Sequence, residues 1–367
     1  MGVHVTQLLR NIVALRPEGR YLALVASLRQ SAILAAELQG IDPQGRLEPR
    51  TVRLPGSILD RVVSGLHVPP MSFLLRAGYD VFHLMWLRSD PPVPSSKLVV
   101  TMHDTVSLEW PEHEAPLPRT AGKVLRRAAA VITVSEHARR KIVDAFAPDP
   151  ARVHVIPNGC DTSTFRPDHD PAEVTATLAG LGVPRPFLLS VGGQTPRKNL
   201  PRLVDAFALS RRRLNLPHTL VHVGPSRELR SEVVAAVTRS GAADAFLNLG
   251  YVTDTAMAHL YSAADALLFP SIAEGFGLPV VEALASGTPV LTSAISSLPE
   301  VAGGAATLVD PLHAEAIAEG IASLLQEAPA QQEERRRRGI LHARTFSWKD
   351  AARRHLQVYD AVAAGAA

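Results

Sequence analysis

Two stretches place ionisable side chains where an apolar run gives way to a helical pattern. In the first, the run Phe187 to Val191 ends at Gly192-Gly193. Arg197 and Lys198 then stand side by side ahead of the helical pattern that begins at Leu200. Two adjacent cations at the carboxyl end of a strand suit a diphosphate, since each hydrogen bond to a charged group contributes roughly 1.5 to 3 kcal/mol. In the second, the run Ala266 to Phe269 enters a turn carrying Glu274, Gly275, Phe276 and Gly277. A helix follows to Ser286, with Gly287 in a C-cap role. Free amides at that helix start favour an anion. Glu274 falls at the strand end and Glu282 about one turn into the helix. A third signal is His103-Asp104, which closes the run Lys97 to Met102; Ser135-Glu136-His137 follows the next run.

Each feature has a plainer alternative. Arg197-Lys198 could be a solvated basic turn, Glu282 an exposed helical carboxylate, the glycines turn formers, and His103 a satisfied structural histidine. That plain account is kept for His154, His218 and His222, which lie in or beside strands. The Glu274 to Glu282 string as a whole argues against it. The spacing fits neither G-x-G-x-x-G nor a P-loop, so dehydrogenase and NTPase fingerprints are both missing.

The elements that must hold these groups follow a βα rhythm. Candidate strands are Tyr21 to Leu28, Thr51 to Leu54, Val81 to Met85, Lys97 to Met102, Ala130 to Val134 and Val153 to Ile156. A second series comprises Phe187 to Val191, Thr219 to Val223, Phe246 to Leu249, Ala266 to Phe269, Pro289 to Thr292 and Ala306 to Val309. Short β-branched runs separated by longer helical patterns predict parallel sheets. The Pro-, Asp- and Gly-rich stretch between the two series holds one short helical segment near Ala172 to Ala179. Residues 1–165 are therefore expected to form a first domain and 186–345 a second, with 166–185 as linker. Two such domains predict ligands at the carboxyl ends of strands, in a cleft where the domains face each other. The chain opens on an amphipathic helix, Val5 to Leu15, where a doubly wound domain normally opens on a strand.

Composition excludes other classes. With 367 residues, 46% hydrophobic and 20% charged, the chain is ordinary globular protein. A single Cys160 cannot form an internal disulfide, which makes a cytoplasmic setting the default. No apolar run spans a bilayer, and Gln7, Arg10 and Asn11 interrupt any signal-peptide core. The net charge is only +3, and five of the 38 basic residues are lysines: Lys97, Lys123, Lys141, Lys198 and Lys349. Arg335 to Arg338 follow Glu333 and Glu334 at helical spacing, so the run reads as a solvated face and no nucleic-acid partner is expected. Arg10, Arg16 and the apolar face beginning at Leu8 leave a peripheral membrane contact open, with a core-facing helix the favoured account.

Together the strings resemble the retaining glycosyltransferases of family four, glycosyl transferases group 1. The likeness rests on His103-Asp104, Val131 to Glu136, Val155-Ile156-Pro157-Asn158-Gly159 with Asp161, Arg197-Lys198-Asn199, Leu249 to Val252, the Glu274 to Glu282 string, and Ser296-Ser297-Leu298-Pro299-Glu300-Val301. It implies an α/β fold of GT-B architecture, two facing Rossmann-like domains, with a tail of residues 346–367 crossing back to the first domain. It further implies that Arg197 and Lys198 hold the diphosphate of a nucleotide sugar. Phe276 and Gly277 amides would contact sugar or phosphate, Glu274 the transferred sugar, and Glu282 the ribose hydroxyls. His103 would lie near the sugar, with Gly193, Tyr251, Val252 and Gly275 as further base or sugar contacts. Two departures stand out. Gly193-Gln194 replace an arginine many relatives carry, and Gly2-Val3-His4 matches the end of a first glycine-rich loop whose preceding strand is missing, so Met1 is expected to be an internal start.

The implied reaction moves a hexosyl-type group from a nucleoside-diphosphate sugar to a hydroxyl acceptor with retention. No cofactor and no metal are expected, because the one Asp-x-Asp, Asp168-His169-Asp170, falls among prolines away from any strand end. So good a leaving group needs no acid, which separates the site from a glycosidase. Competing readings are a catalytically degenerate nucleotide-sugar-binding protein and a GT-B epimerase. The expected place is the cytoplasm, with the inner membrane face open; donor base, acceptor and oligomeric state are not legible.

Overall fold

The computed structural model describes residues 3–26, 31–42, 44–52, 70–87, 89–112 and 116–365. The chain divides into two compact units, Met1–Gly159 with Ser347–Ala367, and Cys160–Phe346. The division thus falls between Gly159 and Cys160, ahead of the expected 165. Residues 166–185, expected as linker, lie in the second unit and carry the helix Pro171–Leu181. That helix is tied down there: the Thr177 hydroxyl and His259 Nδ1 lie 2.8 Å apart.

The first unit opens with the helix Val3–Leu15. A two-stranded parallel sheet of β1 (Tyr21–Ala26) and β2 (Leu47–Val52) follows. The second strand begins earlier than the expected Thr51 because Asp42 accepts from the amides of Arg46 and Leu47 and so launches it. The remaining expected strand residues, 27–28 and 53–54, lie outside the described residues, as does Gly2. A second parallel sheet runs β3 (Phe82–Leu84), β4 (Leu98–Thr101), β5 (Ala130–Thr133) and β6 (Val153–Val155) in sequential order. Its middle strands, Leu-Val-Val-Thr and Ala-Val-Ile-Thr, are buried at every position, as strands covered on both faces must be.

The helix Trp348–Ala363 belongs to this first unit. Leu8 and Ile12 of the opening helix pack with Ala352 and Leu356 of the last one, and Val13 packs with Leu38 and Ile41. The apolar face beginning at Leu8 is therefore core. Arg16 closes the contact through a bidentate pair with Asp360 at 2.6 and 2.7 Å. Gly159 is required where the last helix arrives: a Cβ there would stand 2.1 Å from the Trp348 backbone nitrogen.

The second unit is one six-stranded parallel sheet: β7 (Phe187–Val191), β8 (Thr219–Val223), β9 (Phe246–Gly250), β10 (Ala266–Phe269), β11 (Val290–Ser293) and β12 (Thr307–Val309). Its spatial order is β12-β11-β10-β7-β8-β9, the doubly wound arrangement in which winding reverses between first and fourth strands. The reversal lies between β7 and β10, which pair through Leu188 with Ala266 and Leu189 with Leu267. On one face Leu188, Leu220, Leu268 and Leu291 pack against Leu203, Phe207, Ile317 and Ile321 of the helices Leu200–Leu214 and Ala314–Leu325. Among the described residues no helix is long and apolar enough to cross a membrane.

Candidate functional site

The loops leaving β7 and β10 emerge side by side at the winding reversal. After β7 the chain passes Gly192 and Gly193, forms a 3-10 turn Pro196–Lys198, and swings through Asn199 in the left-handed region (φ 61°) into the helix Leu200–Leu214. Asn199 is buried, and its amide donates to Pro270 O at 3.0 Å and Pro311 O at 2.7 Å, beyond β10 and β12. Ile272 N donates to Arg197 O at 2.7 Å. The two loops are thereby fastened backbone to backbone, and the tips of three strands share one side chain.

That fastening sets three charges together. Lys198 Nζ lies 2.5 Å from Glu274 Oε1, and Arg197 Nη1 lies 2.9 Å from Glu274 Oε2. Lys198 also stands over the Phe269 ring, 4.7 Å from its centroid. Burial by itself pushes the Glu274 carboxyl up, but the charges of Lys198 and Arg197 outweigh it and hold the group below its ordinary value. Glu274 is therefore ionised at neutral pH, and its two cations keep one unit of net positive charge for an anionic ligand.

The Glu274 backbone is held as firmly. Its amide donates to Ser296 Oγ at 3.0 Å, and the hydroxyls of Ser296 and Ser297 both donate to its carbonyl at 2.8 Å. Ser296 takes a left-handed φ of 62° to do so. Sequence reasoning quoted this serine pair as part of a likeness and gave it no role. It also gave none to Gln194, which braces the loop beyond β8: Nε2 donates to Glu228 O at 2.9 Å and Oε1 accepts from Arg230 N at 2.8 Å.

Gly277 begins the helix Leu278–Ala285 at φ 111°, where a Cβ would come within 2.7 Å of Leu298 Cδ2. Pro279 sits in the first turn, where its missing N–H costs nothing. Phe276 turns its ring into the core against Phe346, 5.5 Å between centroids, so only its backbone is left for a ligand. Glu282 Oε2 accepts from the Tyr261 hydroxyl at 3.0 Å, and burial raises the Glu282 carboxyl to about 7. Gly193 and Gly275 are half-buried in the two turns. Tyr251 and Val252 follow β9, the edge strand two places from β7, and Tyr251 is 77% exposed.

His103 lies in the first unit, just past β4. Its Nε2 lies 3.1 Å from Met85 O, so the ring proton sits on Nε2 and Nδ1 is the unprotonated nitrogen. Burial lowers its pKa to about 4. His4, which sequence analysis left without a role, meets it edge-on at 4.3 Å between ring centroids and bonds Asn158 Oδ1 at 2.6 Å through Nδ1. Burial, then the neighbouring His103, takes His4 to about 3. Both rings are neutral in ordinary buffers.

In the Asp-x-Asp segment, Asp168 pairs with Arg166 at 2.8 Å and Asp170 caps the helix Pro171–Leu181 through Ala172 N at 2.8 Å. Among the described residues no group of three or more His, Cys, Asp or Glu could hold a metal ion.

Comparison with known proteins agrees with this architecture. Residues 2–164 match Glycosyltransferase Family 4 and residues 180–342 match Glycosyl transferases group 1. The O-antigen chain mannosyltransferase B of Escherichia coli is 30% identical over 270 residues, which is 72% of this chain and 70% of that protein. The crystal structure of a glycosyltransferase from Rickettsia africae superposes with a TM-score of 0.79 at 17% identity, covering 98% of this chain and 95% of that one. Anabaena HepE in complex with UDP-glucose superposes with a TM-score of 0.70 at 20% identity, covering 98% and 97%. The fold is GT-B, and the chain belongs to the family four glycosyltransferases.

Proposed function

We propose that this enzyme transfers a hexosyl group from a nucleoside-diphosphate sugar to a hydroxyl acceptor with retention of configuration and without a metal ion. The observation that carries the reading is the cluster at the winding reversal, where Arg197 and Lys198 converge on Glu274 beside the start of the helix Leu278–Ala285. Breaking the bond from an anomeric carbon to a diphosphate builds negative charge on the leaving group and oxocarbenium character on the sugar. Fixed cations and helix-terminal amides aimed at the phosphates lower that barrier without reorganising. Here they take the part a divalent cation plays elsewhere.

The remaining roles follow from the family. Lys198 and Arg197 receive the diphosphate, and the Phe276 and Gly277 amides add backbone donors. Glu274, ionised and clamped, faces the developing positive charge of the sugar. Glu282 accepts from the ribose hydroxyls. His103, neutral with Nδ1 unprotonated, is the hydrogen-bond acceptor the first unit offers the sugar. The leaving phosphate assists deprotonation of the incoming hydroxyl on the same face. The complex of HepE with UDP-glucose, and the mannosyltransferase named among the relatives, support a nucleotide-sugar donor.

The test is a panel of UDP-glucose, UDP-N-acetylglucosamine, GDP-mannose and ADP-glucose, each with and without saccharide acceptors and with EDTA present. Proton NMR then reads the anomeric configuration of the product. Retained configuration with EDTA-insensitive turnover is expected. No transfer or donor hydrolysis with any of the four, or an inverted product, overturns the reading.

A further inference from the structure

The carboxylate assigned to the ribose has a buried partner whose only polar atom is turned toward it. Tyr261, on the helix Asp254–Ala263, has no exposed surface, and its hydroxyl donates to Glu282 Oε2 at 3.0 Å. Backbone and ring are both held: Thr288 Oγ1 donates to the Tyr261 carbonyl at 2.6 Å, and the ring stands edge-on to Phe165 at 5.8 Å between centroids. A phenol has one proton to give, and burial keeps this one from ionising. We propose that Tyr261 is a positioning residue for nucleotide binding: its hydroxyl engages Oε2 of Glu282 and so presents Oε1 to the two ribose hydroxyls.

The proposal deepens the ribose assignment of Glu282 and rests on it. A second consequence concerns ionisation. The groups facing Glu282 are Tyr261 and Asp254 from one helix and the Cys160 thiol from the segment that opens the unit. Burial favours the protonated carboxyl, Asp254 adds to that effect by like charge, and the Tyr261 hydrogen bond opposes both. Without the hydroxyl, Glu282 keeps its proton to a higher pH, and a protonated carboxyl is a poorer acceptor for the ribose.

Calorimetric titration of the full chain with UDP, GDP and ADP between pH 5.5 and 9 tests this. The nucleotide bound most tightly is carried to Tyr261→Phe and Glu282→Gln, with thermal unfolding to verify that each variant is folded. Comparing variants cancels the nucleotide's own titration. Wild-type affinity is expected to fall as pH drops through about 7. In Tyr261→Phe that inflection moves upward, and because the carboxylate is no longer held in place, binding stays about fivefold weaker than wild type at pH 9, where Glu282 is ionised in both. In Glu282→Gln binding is weak throughout and the inflection is lost. Full recovery of Tyr261→Phe to wild-type affinity at pH 9 overturns the positioning role, and an inflection unmoved in that variant overturns the effect on ionisation. Glu282→Gln binding like wild type overturns the ribose assignment instead, whatever Tyr261→Phe does, and no binding of any of the three nucleotides overturns the reading of the whole site.

Discussion

Lys198 and Glu274, 76 positions apart in the chain, meet at 2.5 Å because they leave adjacent strands at the point where the sheet reverses its winding. Arg197 reaches the other carboxylate oxygen at 2.9 Å. An arrangement of two cations and one carboxylate has a mechanical consequence: the carboxylate and a diphosphate draw on the same two donors. On the proposed reading, donor binding redistributes these hydrogen bonds and turns Glu274 toward the sugar.

Substitutions at the two ends of this contact should separate binding from turnover. Lys198→Ala is expected to weaken nucleoside diphosphate binding about tenfold or more, the value of one charge-assisted hydrogen bond. Glu274→Gln removes the competitor, so nucleotide affinity should hold or rise while turnover with a nucleotide sugar falls about 100-fold or more. Calorimetry with UDP, GDP and ADP, combined with steady-state rates, reads both. Equal loss of affinity in the two variants would count against the competition.

Asn199 should be the structural keystone of the same site. Its buried amide satisfies carbonyls beyond β10 and β12 while its backbone sits at φ 61°. Asn199→Ala leaves two buried acceptors without their donor and puts alanine in a left-handed conformation that asparagine tolerates better. A stability loss of about 2–5 kcal/mol is expected from those terms. Urea unfolding measures it; a loss below about 1 kcal/mol, with activity intact, would show that the loops are fastened by other means.

Acid should loosen the first unit through its histidines. His355 is buried against the helix Trp348–Ala363 backbone, with Nδ1 bonded to Ala351 O at 2.8 Å, and burial takes its pKa to about 4. Its neighbour His83, wedged between Tyr359 and Thr101, lies well below the ordinary value for the same reason. A histidine lowered in the folded state binds fewer protons than the unfolded chain does. Its contribution is complete above the ordinary 6.5 and is lost as pH falls toward 4. Urea midpoints at pH 7 and 4.5 should show His355→Leu losing about 2 kcal/mol less than wild type over that interval. An unchanged pH dependence would place the acid sensitivity elsewhere.

Much of the second unit was legible before any coordinates. The strands Phe187–Val191, Thr219–Val223 and Ala266–Phe269 fall at their expected residues, because a parallel strand covered on both faces must be an uninterrupted apolar run, and such runs stand out between amphipathic helices. Arg197, Lys198 and Glu274 were likewise readable from their places at strand ends. Residues 166–185 were legible only in part: a short helix was expected near Ala172 to Ala179, but the prolines and aspartates around it read as linker. The helix Pro171–Leu181 is fixed to the second unit by contacts such as Thr177 with His259, which no local pattern encodes.

What the sequence determined alone is therefore the local grammar: which segments are strands, which turns end in charge, and which glycines and prolines open helices. Strand order was left to the tertiary structure. Placing β10 against β7 turned two separate charged turns into one cluster, and it brought Ser296, Ser297 and Asn199 to hold that cluster. Tertiary packing also set Tyr261 against Glu282, and in the first unit it set His4 against His103. The hydrogen bonds among these partners join residues 21 to 112 positions apart. Their identities carry no periodic signal, because hydrogen bonds between side chains depend on which surfaces are buried together, and that is decided when the sheet closes its core.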